Sequence, residues 1–110
     1  MTMKPKIQMM IDKFHRRMDK DEKARAEVEP FVKKINIDLG AETYSMTLDH
    51  ARIEGFSEGL LVDPDITIQT TPEYMDALIE GELRPMKAYV TKKVVIKGKI
   101  QDLMHLKKFL

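Results

Sequence analysis

Residues 66–83 read ITIQTTPEYMDALIEGEL, and the change of period inside this stretch decides the fold. Its first part alternates: Ile66 and Ile68 point one way, Thr67 and Gln69 the other, as in a half-buried strand. Its second part has helical spacing, with Tyr74, Met75, Leu78 and Ile79 on one face. The punctuation between them is explicit. Thr71 is an N-cap, Pro72 fits the first helical position, and Glu73 puts a carboxylate in the first turn. Gly81 closes the helix, since glycine tolerates the left-handed backbone that helix ends favour. A strand that runs into a helix cannot reach its next strand by a tight turn, so the chain re-enters the sheet by a crossover.

Upstream of residue 66 the period is two. In FVKKINIDL (31–39), Phe31, Lys33, Ile35, Ile37 and Leu39 alternate with Val32, Lys34, Asn36 and Asp38. Gly40 turns the chain, and TYSMTLD (43–49) repeats the alternation through Tyr44, Met46 and Leu48. RIEGFS (52–57) predicts a short third strand, weakened by Gly55. VDPD (62–65) is a turn. Before Phe31, the residues Met9, Met10, Lys13, Phe14, Arg17 and Met18 recur at helical spacing. They predict one amphipathic helix over about residues 5–28, stopped by Pro30. Downstream, Pro85 opens a short helical turn with Met86, Tyr89 and Val90, and KVVIKG (93–98) forms a last strand. IQDLMHLKKFL (100–110) predicts a C-terminal helix with Ile100, Leu103, Met104, Leu106 and Leu110 on its apolar side. Early hairpin-linked strands pair antiparallel, so the order of elements predicts an α+β layer. One sheet is covered by helices on one face, in one domain over residues 1–110.

Bulk properties narrow the function. The 110 residues suffice for one core, and 34% of them are charged. Without cysteine there is neither a disulfide framework nor thiol chemistry. High charge with one asparagine and three glutamines points towards a thermophile, while nine methionines point away from one. No apolar run reaches the ~18 residues of a membrane span, and MTMKPKIQMMIDKF has no apolar signal region. The final KKFL is not an organelle address, so the expectation is a soluble cytoplasmic protein. Net charge is +1, but residues 1–30, 31–82 and 83–110 carry +2, −8 and +7. A basic tail of this kind suits phosphates, lipid headgroups or an acidic partner, or it pairs with the acidic middle.

GFSEG (55–59) matches G-x-S-x-G, the nucleophile elbow of serine hydrolases. That motif needs a helix after the serine, and LLVDPDITIQT follows instead. His105 is the one histidine downstream, and His50 follows Asp49 directly, where alternation would turn the two side chains to opposite faces. A small serine hydrolase at Ser57 is therefore the remote alternative, and no catalytic residue is assigned. His15, His50 and His105 show no metal-ligand spacing, no glycine loop cradles a phosphate, and no cofactor is expected. A recognition helix or a paired aromatic platform for nucleic acid is also lacking.

Met75, Met86 and Met104 sit on the apolar sides of three separate helical segments. Methionine fills irregular gaps and also serves surfaces that adapt to varied apolar partners. From residue 66 onward the chain resembles the sterol carrier protein 2 family of nonspecific lipid-transfer domains. ITIQTTPEYMDALIEGEL is similar to the family's strand and acidic-start helix. RPMKAYVTKKVVIKG resembles its Pro-x-x-Ala-aromatic turn and Lys-rich strand ending in Gly, through Pro85, Ala88, Tyr89, Ile96 and Gly98. KIQDLMHLKKFL resembles its C-terminal amphipathic helix. The chain departs from the family at Lys92 and Lys93, where Gly-Lys is common, and at DHARIEG, where the family has a glycine-rich hairpin.

The resemblance implies a single mixed, mostly antiparallel five-stranded sheet, helices over one face, and an apolar tunnel between them. It implies non-covalent binding or transfer of fatty acyl chains, acyl-CoA, sterol-like or isoprenoid molecules. On that basis Met75, Leu78, Ile79, Met86 and Tyr89 are expected to line the tunnel with Leu103, Met104 and Leu106. Ile35, Met46, Ile68 and Ile96 would form the wall opposite. Lys93, Lys97 and Lys99 occupy odd positions of the last strand, with Val94 and Ile96 even, and are expected to share a solvent face towards an anionic membrane or an acidic partner. The alternative is a protein-interaction module, an accessory subunit of a lipid or quinone enzyme with a filled core. The oligomeric state is not read from the sequence, and a homodimer stays open.

Overall fold

The computed structural model describes residues 2–99, so the helix expected over residues 100–110, with Ile100, Leu103, Met104, His105, Leu106 and Leu110, lies outside the described residues. The elements in chain order are α1 (Lys4–Lys20), α2 (Glu22–Val28), β1 (Val32–Asp38), β2 (Thr43–Asp49), β3 (Arg52–Glu58), β4 (Ile66–Gln69), α3 (Pro72–Glu80), α4 (Pro85–Val90) and β5 (Val95–Lys97). The five strands form one mixed sheet in the order β3-β2-β1-β4-β5. β4 lies parallel to β1, with Ile37 opposite Ile68, and the other neighbours are antiparallel. The crossover expected around residues 66–83 is present: β4 enters α3, and the chain returns through α4 to β5 beside β4.

Local chemistry explains the boundaries. The Thr71 hydroxyl accepts from the Tyr74 N–H at 3.1 Å, and Gly81 caps α3 at φ 80° with its N–H directed to the C-terminal carbonyls. The single helix expected over about residues 5–28 is two helices. Asp21 adopts an extended backbone, and its carboxylate accepts from the Ala24 N–H at 3.0 Å, so α2 starts afresh. A short acidic side chain competes with the helical backbone for such donors, and here it won. The buried stripe of α1 is Ile7, Ile11, Phe14 and Met18, a clean helical repeat. Met9, which the sequence reading set on the apolar side, is 59% exposed.

The register gives the sheet one apolar face. Ile35 lies opposite Met46 and Ile66, Ile37 opposite Tyr44, Leu48 opposite Ile53, and Ile68 opposite Ile96. These side chains, except the half-buried Ile96, are buried with Ile7, Ile11, Phe14, Met18, Met75 and Leu78 in one core cluster. The third strand expected at RIEGFS is present as β3, and Gly55, at φ 65°, absorbs a bulge between the partners of Ser45 and Thr47. Beyond the bulge, Phe56 packs its ring 5.6 Å from that of Tyr44.

The opposite face departs from simple alternation. Asn36, on the polar side of β1, is buried because the segment after β3 crosses over it. Its Nδ2 donates to the Leu61 carbonyl at 3.0 Å and its Oδ1 accepts from the Leu61 N–H at 2.8 Å, which imitates one step of strand pairing. Helix α4 also departs from expectation. It buries Ala88 and turns Met86, Tyr89 and Val90 to solvent, because a six-residue helix anchored by its small residue must expose the rest of its circumference.

Candidate functional site

The candidate site is a cleft of about 680 Å³ between α1 and α3. Met9, Met10 and Phe14 of α1 face Leu78 and Ile79 of α3 across it, and Gly81 ends the α3 wall. Phe14 and Leu78 are buried and tie the floor to the core, while Met10 and Ile79 are half-buried. The rim is charged: Asp12, Lys13, Arg16 and Arg17 come from α1 and Glu80 from α3. An apolar floor with flexible thioethers and a polar rim has the chemistry to suit an apolar chain with a polar group at the mouth.

The two walls are clamped to each other. The Lys6 ammonium of α1 bonds both Asp76 and Glu80 of α3. Asp76 and Glu80 are four residues apart and share one face of the helix, so one cation bridges both. Hydrogen bonds to Asp76 and then Glu80 push the Lys6 pKa up to about 12. Near the start of α1, Glu42 accepts from the Met3 N–H at 2.7 Å and from the Tyr44 hydroxyl at 2.6 Å. These two bonds hold its carboxyl below the usual range, while burial, followed by Glu42, raises the Tyr44 hydroxyl.

Of the residues expected to line a tunnel, Ile35, Met46, Ile68, Met75 and Leu78 come together in the core. Ile79 and Ile96 pack at its edge, and Leu78 and Ile79 also line the cleft. Met86 and Tyr89 are 51% and 43% exposed and lie apart from this cluster. Leu103, Met104 and Leu106 fall outside the described residues. The α1 wall was not anticipated. The signal for it was the pair Met9–Met10 beside the Ile7–Ile11–Phe14–Met18 stripe, an apolar arc wider than packing against one sheet requires.

The lysines of the last strand divide. Lys97 and Lys99 are exposed. Lys93 is half-buried, its ammonium 5.8 Å from the centre of the Tyr74 ring, and its carbonyl accepts from the Thr70 hydroxyl at 2.8 Å. Lys92 takes a left-handed backbone at φ 62°, so the strand alternation expected to align Lys93 with Lys97 begins only after that turn.

Ser57 lies in β3 opposite Ser45, exposed, with its hydroxyl donating to the Gly55 carbonyl at 3.2 Å. No helix follows it, and β4 is the next element. His50 and Asp49 do meet, at 3.4 Å, contrary to the strand-alternation argument, because His50 sits in a turn at φ 49°. The pair is still five residues along the hairpin from Ser45, about 15 Å at strand rise, beyond hydrogen-bond reach of Ser57. His50 Nδ1 lies 2.8 Å from the Glu29 carbonyl. His15 Nε2 accepts from the Ile53 N–H at 2.9 Å, binding α1 to the edge strand. Among the described residues no group of three His, Asp or Glu side chains is arranged to hold a metal ion, and no helix is long and apolar enough to cross a membrane.

Comparison with known proteins gives these geometries a context. The family model described as the SCP-2 sterol transfer family matches residues 11–110. Among solved structures, sterol carrier protein 2 like 2 from Aedes aegypti superposes with a TM-score of 0.66 at 16% identity, covering 99% of this chain and 100% of that one. The UbiJ-SCP2 ubiquinone synthesis protein superposes with a TM-score of 0.68 at 12% identity, covering 96% and 90%. The sec-alkylsulfatase Pisa1 from Pseudomonas sp. superposes with a TM-score of 0.64 at 16% identity. That match covers 78% of this chain, which spans only 14% of the sulfatase. None of the curated proteins matches the sequence.

Proposed function

Because the chain belongs to the SCP-2 sterol transfer family, we propose that it binds and carries lipids with one apolar chain in the α1–α3 cleft, without covalent chemistry. The cleft carries the proposal: its volume of about 680 Å³ lies inside the ~300–1,000 Å³ range of small-molecule sites. Met9, Met10, Phe14, Leu78 and Ile79 offer the chain a floor, and Lys13 and Arg16 stand at the rim for an anionic or polar head. About ten methylenes entering at ~0.8 kcal/mol each contribute roughly 8 kcal/mol, the order a micromolar affinity needs before the cost of association.

The likeness to the UbiJ-SCP2 ubiquinone synthesis protein supports a second reading, an accessory subunit of a lipid or quinone enzyme in which a partner side chain occupies the cleft. Native mass spectrometry of the purified protein, followed by lipid extraction, separates the two. A carrier retains a lipid, or takes up a fluorescent fatty acid that unlabelled fatty acid displaces. A protein that retains no lipid and takes up no probe is not the carrier proposed here.

A further inference from the structure

The outward face of α4 is apolar. Met86, Tyr89 and Val90 stand at i, i+3 and i+4, and they are 51%, 43% and 71% exposed. Cations flank them along the chain. From Leu83 to Lys99 the chain has six Lys and Arg and no acidic residue. Arg84, Lys87 and Lys92 are exposed, and none pairs with a carboxylate of the described residues. Lys93 is drawn back over Tyr74 and leaves the rim to these three. We infer that this face of α4 is a docking surface for anionic lipid bilayers, with Met86, Tyr89 and Val90 entering the headgroup boundary and Arg84, Lys87 and Lys92 meeting the lipid phosphates and carboxylates.

Charge and size both favour a bilayer over a protein partner. An apolar face whose own segment, Leu83 to Lys99, carries cations and no acidic residue matches an anionic lipid surface, where buried apolar area and Lys/Arg attraction add. Tyrosine suits that boundary, with an apolar ring and a hydroxyl that stays wet. A helix of six residues presents far less than the ~1,000 Å² total that a specific protein interface buries. A membrane asks for no such complementarity. The position is useful as well: α4 begins four residues after Gly81, the end of the cleft wall, so docking here holds the α3 side of the cleft close to the bilayer.

The test uses the full chain with no ligand added, so docking is read independently of what the cleft holds. The protein is sedimented with phosphatidylcholine vesicles containing phosphatidylserine and with phosphatidylcholine alone, at low and high salt. The expected result is recovery on the anionic vesicles only, falling with salt over the Debye-length range. Lys87→Glu and Val90→Asp should each weaken that recovery by about tenfold, and Lys97→Glu by distinctly less. The chain has no tryptophan, so Val90→Trp places a single reporter on the patch, and its emission should shift to the blue on anionic vesicles. That variant keeps the inference testable if Val90→Asp fails to fold. Undiminished binding of folded Val90→Asp, an unshifted Val90→Trp spectrum with sedimentation intact, or equal salt-independent recovery on both vesicle types would overturn the inference. Polyglutamate binding Val90→Trp as tightly as the vesicles, with the same blue shift, would also overturn it in favour of an acidic protein partner. Fatty-acid uptake by Val90→Asp checks the cleft separately, so loss of docking and loss of the carrier function are told apart.

Discussion

Asn36 shows how much one side chain can carry. It is 3% exposed and satisfies both backbone groups of Leu61. Replacing it with alanine strips the Leu61 N–H and carbonyl of their partner, and a partly buried orphan group costs about 1–3 kcal/mol. Urea unfolding of Asn36→Ala should show a loss of about 2 kcal/mol, together with faster amide exchange at Leu61. An unchanged midpoint would mean that water replaces the clamp without loss. Ser57 is the contrasting case, exposed, with its hydroxyl bonded to Gly55 within its own bulged strand. Ser57→Ala should move stability by no more than about 0.5 kcal/mol and leave any ester hydrolysis by the preparation as it was. Loss of hydrolysis on this change alone would restore the elbow that the sequence motif suggests.

Helices α1 and α3 form the cleft, and Lys6 couples them through Asp76 and Glu80. The folded pKa of Lys6, about 12, lies above its ordinary 10.5. Its contribution to stability is therefore fully present below pH 10.5 and is lost as pH rises through about 12. The wild type should lose stability over that window faster than Lys6→Met, the difference isolating this lysine from the others that titrate there. Parallel curves would show that the clamp is screened away, as exposed ion pairs often are. The clamp was not legible in the sequence. Lys6 and Glu80 are separated by more than seventy positions, and only the packing of α1 against α3 brings them together.

Over the whole molecule, core and cleft should respond differently to the same change. Met75 is buried on the inner face of α3, so Met75→Gln places an amide among apolar side chains and should cost several kcal/mol. Ile79 is half-buried on the cleft wall, so Ile79→Gln should cost about 1 kcal/mol or less of stability while weakening fatty-acid binding about tenfold. Thermal midpoints and probe titrations of the two variants measure both quantities. Equal destabilisation with unchanged binding in Ile79→Gln would remove the cleft from the binding site.

The sequence by itself determined the elements that depend on neighbours along the chain. Alternation marked β1, β2 and β4, the Thr71-Pro72-Glu73 and Gly81 signals bounded α3, and the helical excursion after β4 required a crossover. Those signals are local, because a cap bond or a strand period involves residues a few positions apart. Tertiary structure decided what depends on residues far apart. It buried Asn36 under Leu61, turned Met86 and Tyr89 outward, and supplied the cleft with a wall from α1, whereas the break of the first helix at Asp21 rests on a local cap bond that the sequence reading passed over. An apolar stripe states that a helix has a face to cover, and the stripe is the same whether a strand, another helix, a ligand or a bilayer covers it. Only the positions of the other elements distinguish these, and they assign α1 and α3 to the cleft and leave the outer face of α4 to solvent.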